Sequence, residues 1–251
     1  MSSADARVAE ATRIAEQHEY ITSGLGFLIH PVIEHHIKDC EGPIRIADVS
    51  EGLQFPSDND FRWPKCPIEV NRISIRDVIK PDGLHESAGT FHVVAVRLAH
   101  LSIGNTHWNT AIHNLTSLLR PGGWIQWTDW DPRTARIAGV KPGAEDKALR
   151  DLLQRYSDFL KEKQVGTTYR ISSSLTDTGL GQEDSDMYPL PPDVGLTRNI
   201  AHGALRQLET AESVGSEEVE RLRKEVDDEI EAGGSLIWYD LWCHIARKPK
   251  R

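Results

Sequence analysis

Five side chains of types that can bind or transform a small molecule stand at or just after the ends of predicted strands. They are Asp77, Arg97, His100, Trp127 and Asp129. In an open α/β sheet, the carboxyl ends of the parallel strands border the crevice in which ligands bind. We therefore expect these residues to line a pocket at the carboxyl end of such a sheet.

His100 and Asp129 are the residues of this set that could carry acid and base chemistry. Imidazole takes up and releases protons near neutral pH, so His100 could be the general base for a phenol or carboxylate nucleophile. The alternative is a partly buried histidine on a loop. His100 or Asp129 could also perform acid and base steps without any cofactor.

The remaining pocket residues each allow a binding role and a structural one. Arg97 could orient an acidic substrate, or it could form an ion pair with Asp77 or Asp129. Trp127 could form the wall of a pocket for an aromatic substrate, although most tryptophans pack in cores. Asp77 could contact a ligand or cap a turn.

Other site chemistries are not indicated. His30, His35 and His36 lie close together in sequence, but no cluster of cysteine or acidic ligands accompanies them, and neighbouring helix positions do not face one way. The sequence contains neither a G-x-S-x-G nucleophile elbow nor a P-loop. We predict no metal site.

The overall composition excludes several classes of partner. The formal net charge is -9, and the chain has no basic cluster before its last five residues, which argues against nucleic-acid binding. Three widely spaced cysteines favour a reducing compartment over a disulfide framework. No stretch approaches the roughly 20 apolar residues of a membrane span. We predict a cytoplasmic protein, with the nucleus as an alternative, that binds a small molecule or a protein partner.

Apolar periodicity predicts an α/β chain. Helices are expected over residues 4–20, 27–38, 105–119, 144–163, 196–211 and 217–232. Strands are expected over residues 44–49, 68–75, 91–96, 124–130 and 184–190, and residues 235–249 alternate as an edge strand does. Residues 179–186 are predicted to form a flexible loop. The order of strand, helix and strand over 91–130 predicts a parallel crossover.

These elements predict a single domain over residues 1–251. Within it, residues 1–40 would form an N-terminal helical cap, residues 41–132 and 176–251 the α/β core, and residues 133–175 a helical insert.

Several segments together resemble class I S-adenosylmethionine-dependent methyltransferases, and most closely the fungal secondary-metabolism branch related to the global regulator of those pathways. They are AEQHEYITSGLGFLIHP (15–31), ISIRDVIKP (73–81), FHVVAVRL (91–98), LLRPGGWIQWTDWDP (118–132) and MYPLP (187–191). The resemblance implies a Rossmann-like sheet, S-adenosyl-L-methionine as cofactor, and cofactor contacts from Asp48, Asp77, Val78 and Arg97.

The chain departs from that family after its first predicted strand. Family members carry a glycine-rich turn, a helix and a second strand there, whereas Asp48 to Ser50 run directly into GLQFP (52–56). One βα unit is therefore missing, and with it the backbone that would approach the cofactor. Asp48 could be the acid before the lost glycines or the ribose-binding acid at the end of the second strand.

Three functions follow from the resemblance and the gap. The first is methyl transfer to a hydroxyl or amine of a small secondary metabolite. The second is a cofactor-free pseudo-enzyme that acts as a partner in a complex. The third is a cofactor-independent cyclase or isomerase on the same fold. A gene model that skips an exon would also explain the gap.

Overall fold

The computed structural model describes residues 3–38, 40–50, 67–80, 85–210 and 215–250. The helices within these ranges are α1 (Ser3–Leu25), α2 (Pro31–Ile37), α3 (Ile75–Val78), α4 (Trp108–Leu118), α5 (Lys147–Glu162), α6 (Ile171–Asp177), α7 (Val194–Thr210) and α8 (Ser216–Glu231). The strands are β1 (Ile44–Val49), β2 (Ile68–Ile73), β3 (Phe91–Arg97), β4 (Leu119–Trp130), β5 (Arg136–Gly139), β6 (Gly181–Pro189), β7 (Ser235–Trp238) and β8 (Asp240–Arg247). No helix in the described ranges is both long and apolar enough to cross a bilayer.

The chain divides into two compact units. One, which we call the helical unit, comprises Met1–Gly24, Asp131–Gly166 and Pro189–Asp240. The other, the sheet unit, comprises Leu25–Trp130, Thr167–Tyr188 and Leu241–Arg251.

The sheet unit is built on a six-stranded sheet with the order β2-β1-β3-β4-β8-β6. Strands β1, β2, β3 and β4 pair in parallel, and β8 pairs with β4 in antiparallel register. The predicted Rossmann-like α/β fold is thereby confirmed. The predicted parallel crossover is confirmed as well, since α4 connects the parallel strands β3 and β4.

The direction of the chain across this sheet reverses between β1 and β3. Strand β1 pairs with β2 on one side and with β3 on the other, so it holds the central place of the first strand in a Rossmann sheet. Ligands of such sheets bind outside the carboxyl ends of the two strands at the reversal. Asp48 near the end of β1 and Arg97 at the end of β3 stand at this point. The shortened connection expected after Asp48 falls on residues 51–66, which lie outside the described residues.

The two faces of the sheet are covered by different helices. Val96 and Trp127 occupy paired positions on one face, which packs against Ile112 and Leu115 of α4. We call it the α4 face. The opposite face is covered by the chain that leads into α2, where the Leu28 carbonyl accepts hydrogen bonds from the sheet; we call it the α2 face.

Three predictions of local structure were wrong or incomplete. Residues 235–249 form two strands, and β8 lies inside the sheet between β4 and β6, where its polar His244 is buried and hydrogen-bonded to Ser185. Residues 181–189 form the edge strand β6, which confirms the strand expected over 184–190. The flexible loop expected over 179–186 is wrong from residue 181 onward, since charged side chains are tolerated at an edge. The expected helical insert also contains β5.

Helix α2 begins at Pro31, later than predicted, because His30 acts as its N-cap. The Nδ1 atom of His30 accepts a hydrogen bond from the amide of Val32, at 3.3 Å. The amide of His30 donates a hydrogen bond to Oε1 of Gln126 in the sheet, at 2.7 Å, and so takes no part in a helix. Pro31 lies in the first turn, where its missing N–H costs nothing.

The helical unit consists of α1, α5, α7 and α8 with the antiparallel two-stranded sheet β5–β7. Buried apolar side chains of three helices form its core: Leu149, Leu152, Ile200, Leu205, Leu208, Val226 and Ile230. Glu229 of α8 accepts hydrogen bonds from the amides of Ala148 and Leu149. This carboxylate satisfies first-turn donors of α5 and so fixes α5 against α8.

Candidate active site at the strand ends

His100 and Asp129 form a buried pair at the carboxyl ends of β3 and β4. Nδ1 of His100 lies 2.7 Å from Oδ1 of Asp129, and the two residues are 4% and 0% exposed. Because an ionised carboxylate can only accept, Nδ1 carries the proton and Nε2 keeps its lone pair. Within the described residues Nε2 has no hydrogen-bond partner, and it is not among the fully enclosed side-chain atoms.

A tight turn after β3 brings His100 back to the sheet. Leu98 has a φ of 47°, in the left-handed region that residues other than glycine rarely adopt. Its amide donates to the Thr128 carbonyl at 3.0 Å, and a short 3-10 helix, Ala99–Leu101, follows. A strained residue of this kind persists only when its surroundings hold it, and such residues cluster at functional sites.

The carboxylate of Asp129 is held by further donors besides His100. The indole Nε1 of Trp127 donates to Oδ2 at 3.3 Å, and the amide of Trp130 donates to Oδ1 at 3.0 Å. Both oxygens of this buried carboxylate therefore accept hydrogen bonds. The arrangement fixes the orientation of the His100 ring.

Trp127 is anchored in the core of the α4 face. It has no exposed surface and stacks on Trp108, with ring centroids 5.6 Å apart. The indole of Trp108 donates to Oγ1 of Thr167, which donates to Oδ1 of Asn105. Trp127 thus links the core to Asp129, while a wall for an aromatic substrate stays a prediction.

Asp48 and Arg97 lie on the α2 face, opposite to the His100–Asp129 pair, and their charges interact. They are 2% and 1% exposed, and Nη2 of Arg97 donates to the carbonyl of Leu28 at 3.1 Å. Burial lowers the pKa of Arg97 to about 10, and the charge of Asp48 opposes that shift. The sequence suggested Asp77 or Asp129 as the ion-pair partner of Arg97. Asp129 is instead bonded to His100 on the α4 face, and Asp77 pairs with Lys80.

Asp77 and Val78 belong to the short helix α3, which follows β2. Oδ1 of Asp77 forms an ion pair of 2.7 Å with Nζ of Lys80, and about half of its side chain is exposed (47%). Val78 is buried, and its carbonyl accepts a hydrogen bond from Nδ2 of Asn114 at 2.7 Å. Asn114 thereby fixes α3 to α4, while a cofactor role for either residue stays a prediction.

Sequence analysis missed a second polar group on the α4 face. His244 of β8 stands opposite Trp127, and its Nδ1 lies 2.6 Å from Oγ of Ser185 in β6. Trp242 stands opposite Asp129 and is parallel to the His244 ring within 4°. Burial lowers the pKa of His244 to about 4 against the charge of Asp129, so this imidazole is neutral near pH 7. The alternation of residues 240–247 is the signal available in the sequence, but such alternation is also typical of an edge strand.

The structure brings acidic residues to His30, contrary to one reason given against a metal. Ligand atoms of His30, Asp184 and Asp186 lie within 4.8 Å of one another. Nevertheless Nδ1 of His30 accepts from the amide of Val32, which leaves the ring proton on Nε2, the atom 3.9 Å from Asp184. A protonated nitrogen is not a metal ligand.

No family model matches the chain. A methyltransferase named grgD, from a Penicillium species, is 37% identical over 78 residues, which are 31% of this chain and 26% of grgD. The match therefore spans about a quarter of the relative's length.

Solved structures give more distant likenesses. A provisionally named methyltransferase from Bacillus halodurans has a TM-score of 0.49 at 14% identity, covering 86% of this chain and 96% of that one. Phosphoethanolamine N-methyltransferase 2 from Haemonchus contortus has a TM-score of 0.43 at 13% identity, covering 87% of this chain and 51% of that one. The cyclopropane synthase MmaA2 from Mycobacterium tuberculosis has a TM-score of 0.44 at 13% identity, covering 86% and 83%.

Because these TM-scores lie below 0.5, we draw no functional argument from them. The relative from Penicillium confirms the resemblance to methyltransferases that the sequence indicated. Over those 78 residues the chain is similar in sequence to a methyltransferase, and the chain carries a Rossmann-like α/β sheet.

Proposed function

We propose that the protein is an S-adenosylmethionine-dependent methyltransferase that acts on a hydroxyl or amine of a small molecule. The observation that carries this proposal is the 2.7 Å bond between His100 and Asp129 at the strand ends beside the chain reversal. A histidine whose Nδ1–H is held by a carboxylate presents a basic Nε2 to the acceptor.

The residues at the reversal fit the charges of this cofactor. S-adenosylmethionine carries an ammonium, a carboxylate and ribose hydroxyls, and when bound it supplies a methyl group on a positively charged sulfur. The carboxylate of Asp48 complements the ammonium or the hydroxyls, and the guanidinium of Arg97 complements the carboxylate. Both side chains are buried under the Leu28 segment, so binding would require that segment to shift.

The chain's own part in the transfer is proton removal and orientation. His100 takes the proton of the acceptor on Nε2, while Asp129 holds Nδ1–H and stabilises the imidazolium that forms. The proton then passes to solvent from Nε2. Proximity of the bound partners supplies most of the remaining acceleration.

Calorimetric titration with S-adenosylmethionine and, separately, with S-adenosylhomocysteine tests the proposal. We expect a dissociation constant in the micromolar range, about -8 kcal/mol, and weaker binding by Asp48→Asn. Lys161→Ala is the control, because Lys161 is an exposed residue of α5. The absence of heat at millimolar cofactor, from protein shown to be folded, would contradict methyl transfer.

A second function is favoured by one specific observation. The bond between His100 and Asp129 involves no cofactor atom, and the negative charge of Asp48 already favours the charged form of Arg97. A cofactor-independent cyclase or isomerase needs only such an acid and base pair. Full turnover of a substrate in cofactor-free protein, abolished by His100→Gln, would favour this function over the first.

A further inference from the structure

The α4 face carries a polar and aromatic group that the proton transfer does not use. It comprises Trp242 and His244 of β8 together with Ser185 of β6. Residues directly opposite in an antiparallel pair point to the same face with Cβ atoms about 5 Å apart. Since Trp242 faces Asp129 across the ladder and His244 faces Trp127, this group stands beside the His100–Asp129 pair.

Trp242 offers a flat apolar surface in this group. It is 37% exposed, whereas Trp108, Trp124 and Trp127 of the same unit are at most 2% exposed. Its ring lies parallel to that of His244 within 4°, with centroids 5.9 Å apart. An indole held by a stacked neighbour is ordered before a ligand arrives, so little conformational freedom is lost when a planar ring stacks on it.

His244 offers a hydrogen-bonding atom beside that surface. It is 7% exposed and its Nδ1 is bound to Ser185, so the orientation of the ring is set. Its Nε2 has no hydrogen-bond partner among the described residues and is not fully enclosed. Whether Ser185 donates or accepts decides whether Nε2 accepts or donates. A hydroxyl group serves in either case, because it both donates and accepts.

The charge of the surroundings favours a neutral ligand. His244 does not become positive near pH 7, and the negative charge of Asp129 is already engaged by three donors. An anionic ligand would be repelled by Asp129, and no residue of this group carries a positive charge that would offset the repulsion.

We propose that Trp242 and His244 form the acceptor subsite, which binds a neutral planar aromatic ring bearing a hydroxyl group. The ring stacks on Trp242, and the hydroxyl bonds to Nε2 of His244. This inference deepens the proposed function. Only the role of the ligand as methyl acceptor rests on that function, because binding itself needs no cofactor.

Equilibrium dialysis with 2-naphthol and 2-methylnaphthalene tests the subsite in cofactor-free protein. We expect 2-naphthol to bind more tightly than 2-methylnaphthalene. Trp242→Leu should weaken both probes, by about 2- to 12-fold for a lost aromatic pair. His244→Phe should weaken 2-naphthol alone, by a similar factor for a lost hydrogen bond. Tyr169→Leu, at an exposed aromatic residue of the same unit, is the control.

Imidazole NMR of the unsubstituted protein keeps the test independent of folding in the variants. The nitrogen signal of His244 Nε2 should shift more on addition of 2-naphthol, which bonds to it, than with 2-methylnaphthalene, which acts on it only through the ring current of the stacked probe. Equal binding of the two probes, an effect of only one of the two substitutions, or no binding by folded protein would overturn the subsite. Binding of 2-naphthol by protein that shows no cofactor binding would retain the subsite and reject methyl transfer.

Discussion

Nδ1 of His100 and Oδ1 of Asp129 lie 2.7 Å apart although the two residues are 29 positions apart in sequence. The contact is made possible by the parallel pairing of β3 with β4, which ends both strands at the same edge of the sheet. The left-handed turn at Leu98 then returns His100 toward Asp129. The proposed base and its orienting carboxylate thus come from the ends of consecutive strands joined by one crossover.

Asp129→Asn should lower turnover by about 10²- to 10⁴-fold, the usual contribution of a general base. The assay uses an acceptor that the unsubstituted protein methylates. An amide can present its NH₂ group to Nδ1, which would place the His100 proton on Nε2 and remove the basic atom. Steady-state kinetics with His100→Gln should show a loss of similar size. His113→Gln, on the exposed side of α4, is the control. Turnover within twofold of the original protein in Asp129→Asn would contradict the assigned role.

Most of the fold could be predicted from the sequence because the buried strands are continuous apolar runs. FHVVAV predicts β3 correctly, and the helical spacing of Ile112, Leu115 and Leu118 predicts α4. The place of β8 could not be predicted, because a buried histidine looks like an exposed one until its partner Ser185 is known. The bond between His100 and Asp129 could not be predicted for a similar reason. The alternation of apolar and polar residues predicts which face of the sheet a side chain occupies, but not which other side chain it contacts.

Trp127→Phe should lower the free energy of unfolding by about 1–3 kcal/mol, the effect of removing a donor from a buried charged acceptor. The phenyl ring keeps the stack on Trp108, so the loss beyond that of a control with the same change in volume reports the bond from Nε1 to Asp129. Urea unfolding measures it. Trp124→Phe is the matched control, because it loses the same part of a buried indole while its Nε1 has no partner in the described residues, so its loss should be the smaller one. Equal losses in the two variants would contradict a specific role of the Trp127 indole.

Stability should fall in acid through His244 and His92. Burial lowers the pKa of each to about 4, from the ordinary 6.5. Between these values the unfolded chain binds a proton that the folded chain does not. Stability is therefore complete above about pH 6.5 and declines as the pH falls toward 4. For His244 the loss is on the order of 3 kcal/mol.

Unfolding curves at several pH values check this dependence. His244→Gln should flatten the decline between pH 6.5 and 4, and the double variant with His92→Gln should flatten it further. An unchanged slope in the double variant would show that other groups govern acid sensitivity.

Cys243 should resist thiol reagents in the folded protein. Burial raises the pKa of its thiol to about 12, and only 1% of the residue is exposed, so little thiolate is present or accessible. Cys40 is partly exposed and should react first. Alkylation at pH 8 followed by peptide mass spectrometry measures both sites. Modification of Cys243 as fast as that of Cys40 in native protein would contradict the buried position of β8.

Arg97→Met should destabilise the protein by about 3–5 kcal/mol, because it leaves the buried carboxylate of Asp48 without the nearby positive charge. The double variant Asp48→Asn with Arg97→Met should recover part of that loss. A double-mutant cycle by urea unfolding gives the coupling, expected at about 0.5–3 kcal/mol. Additive losses would show that the two side chains do not act on each other.

The division of the chain into three segments for each unit has a consequence for dissection of the protein. The chain passes between the units after residues 24, 130, 166, 188 and 240. No single cut therefore yields either unit as an intact fragment free of the other, and a gene fragment encoding one continuous stretch cannot encode a whole unit alone. The strand β8 that completes the sheet comes only after the helical unit has been synthesised, so its pairing with β4 is a contact of long sequence separation and is expected to form late in folding.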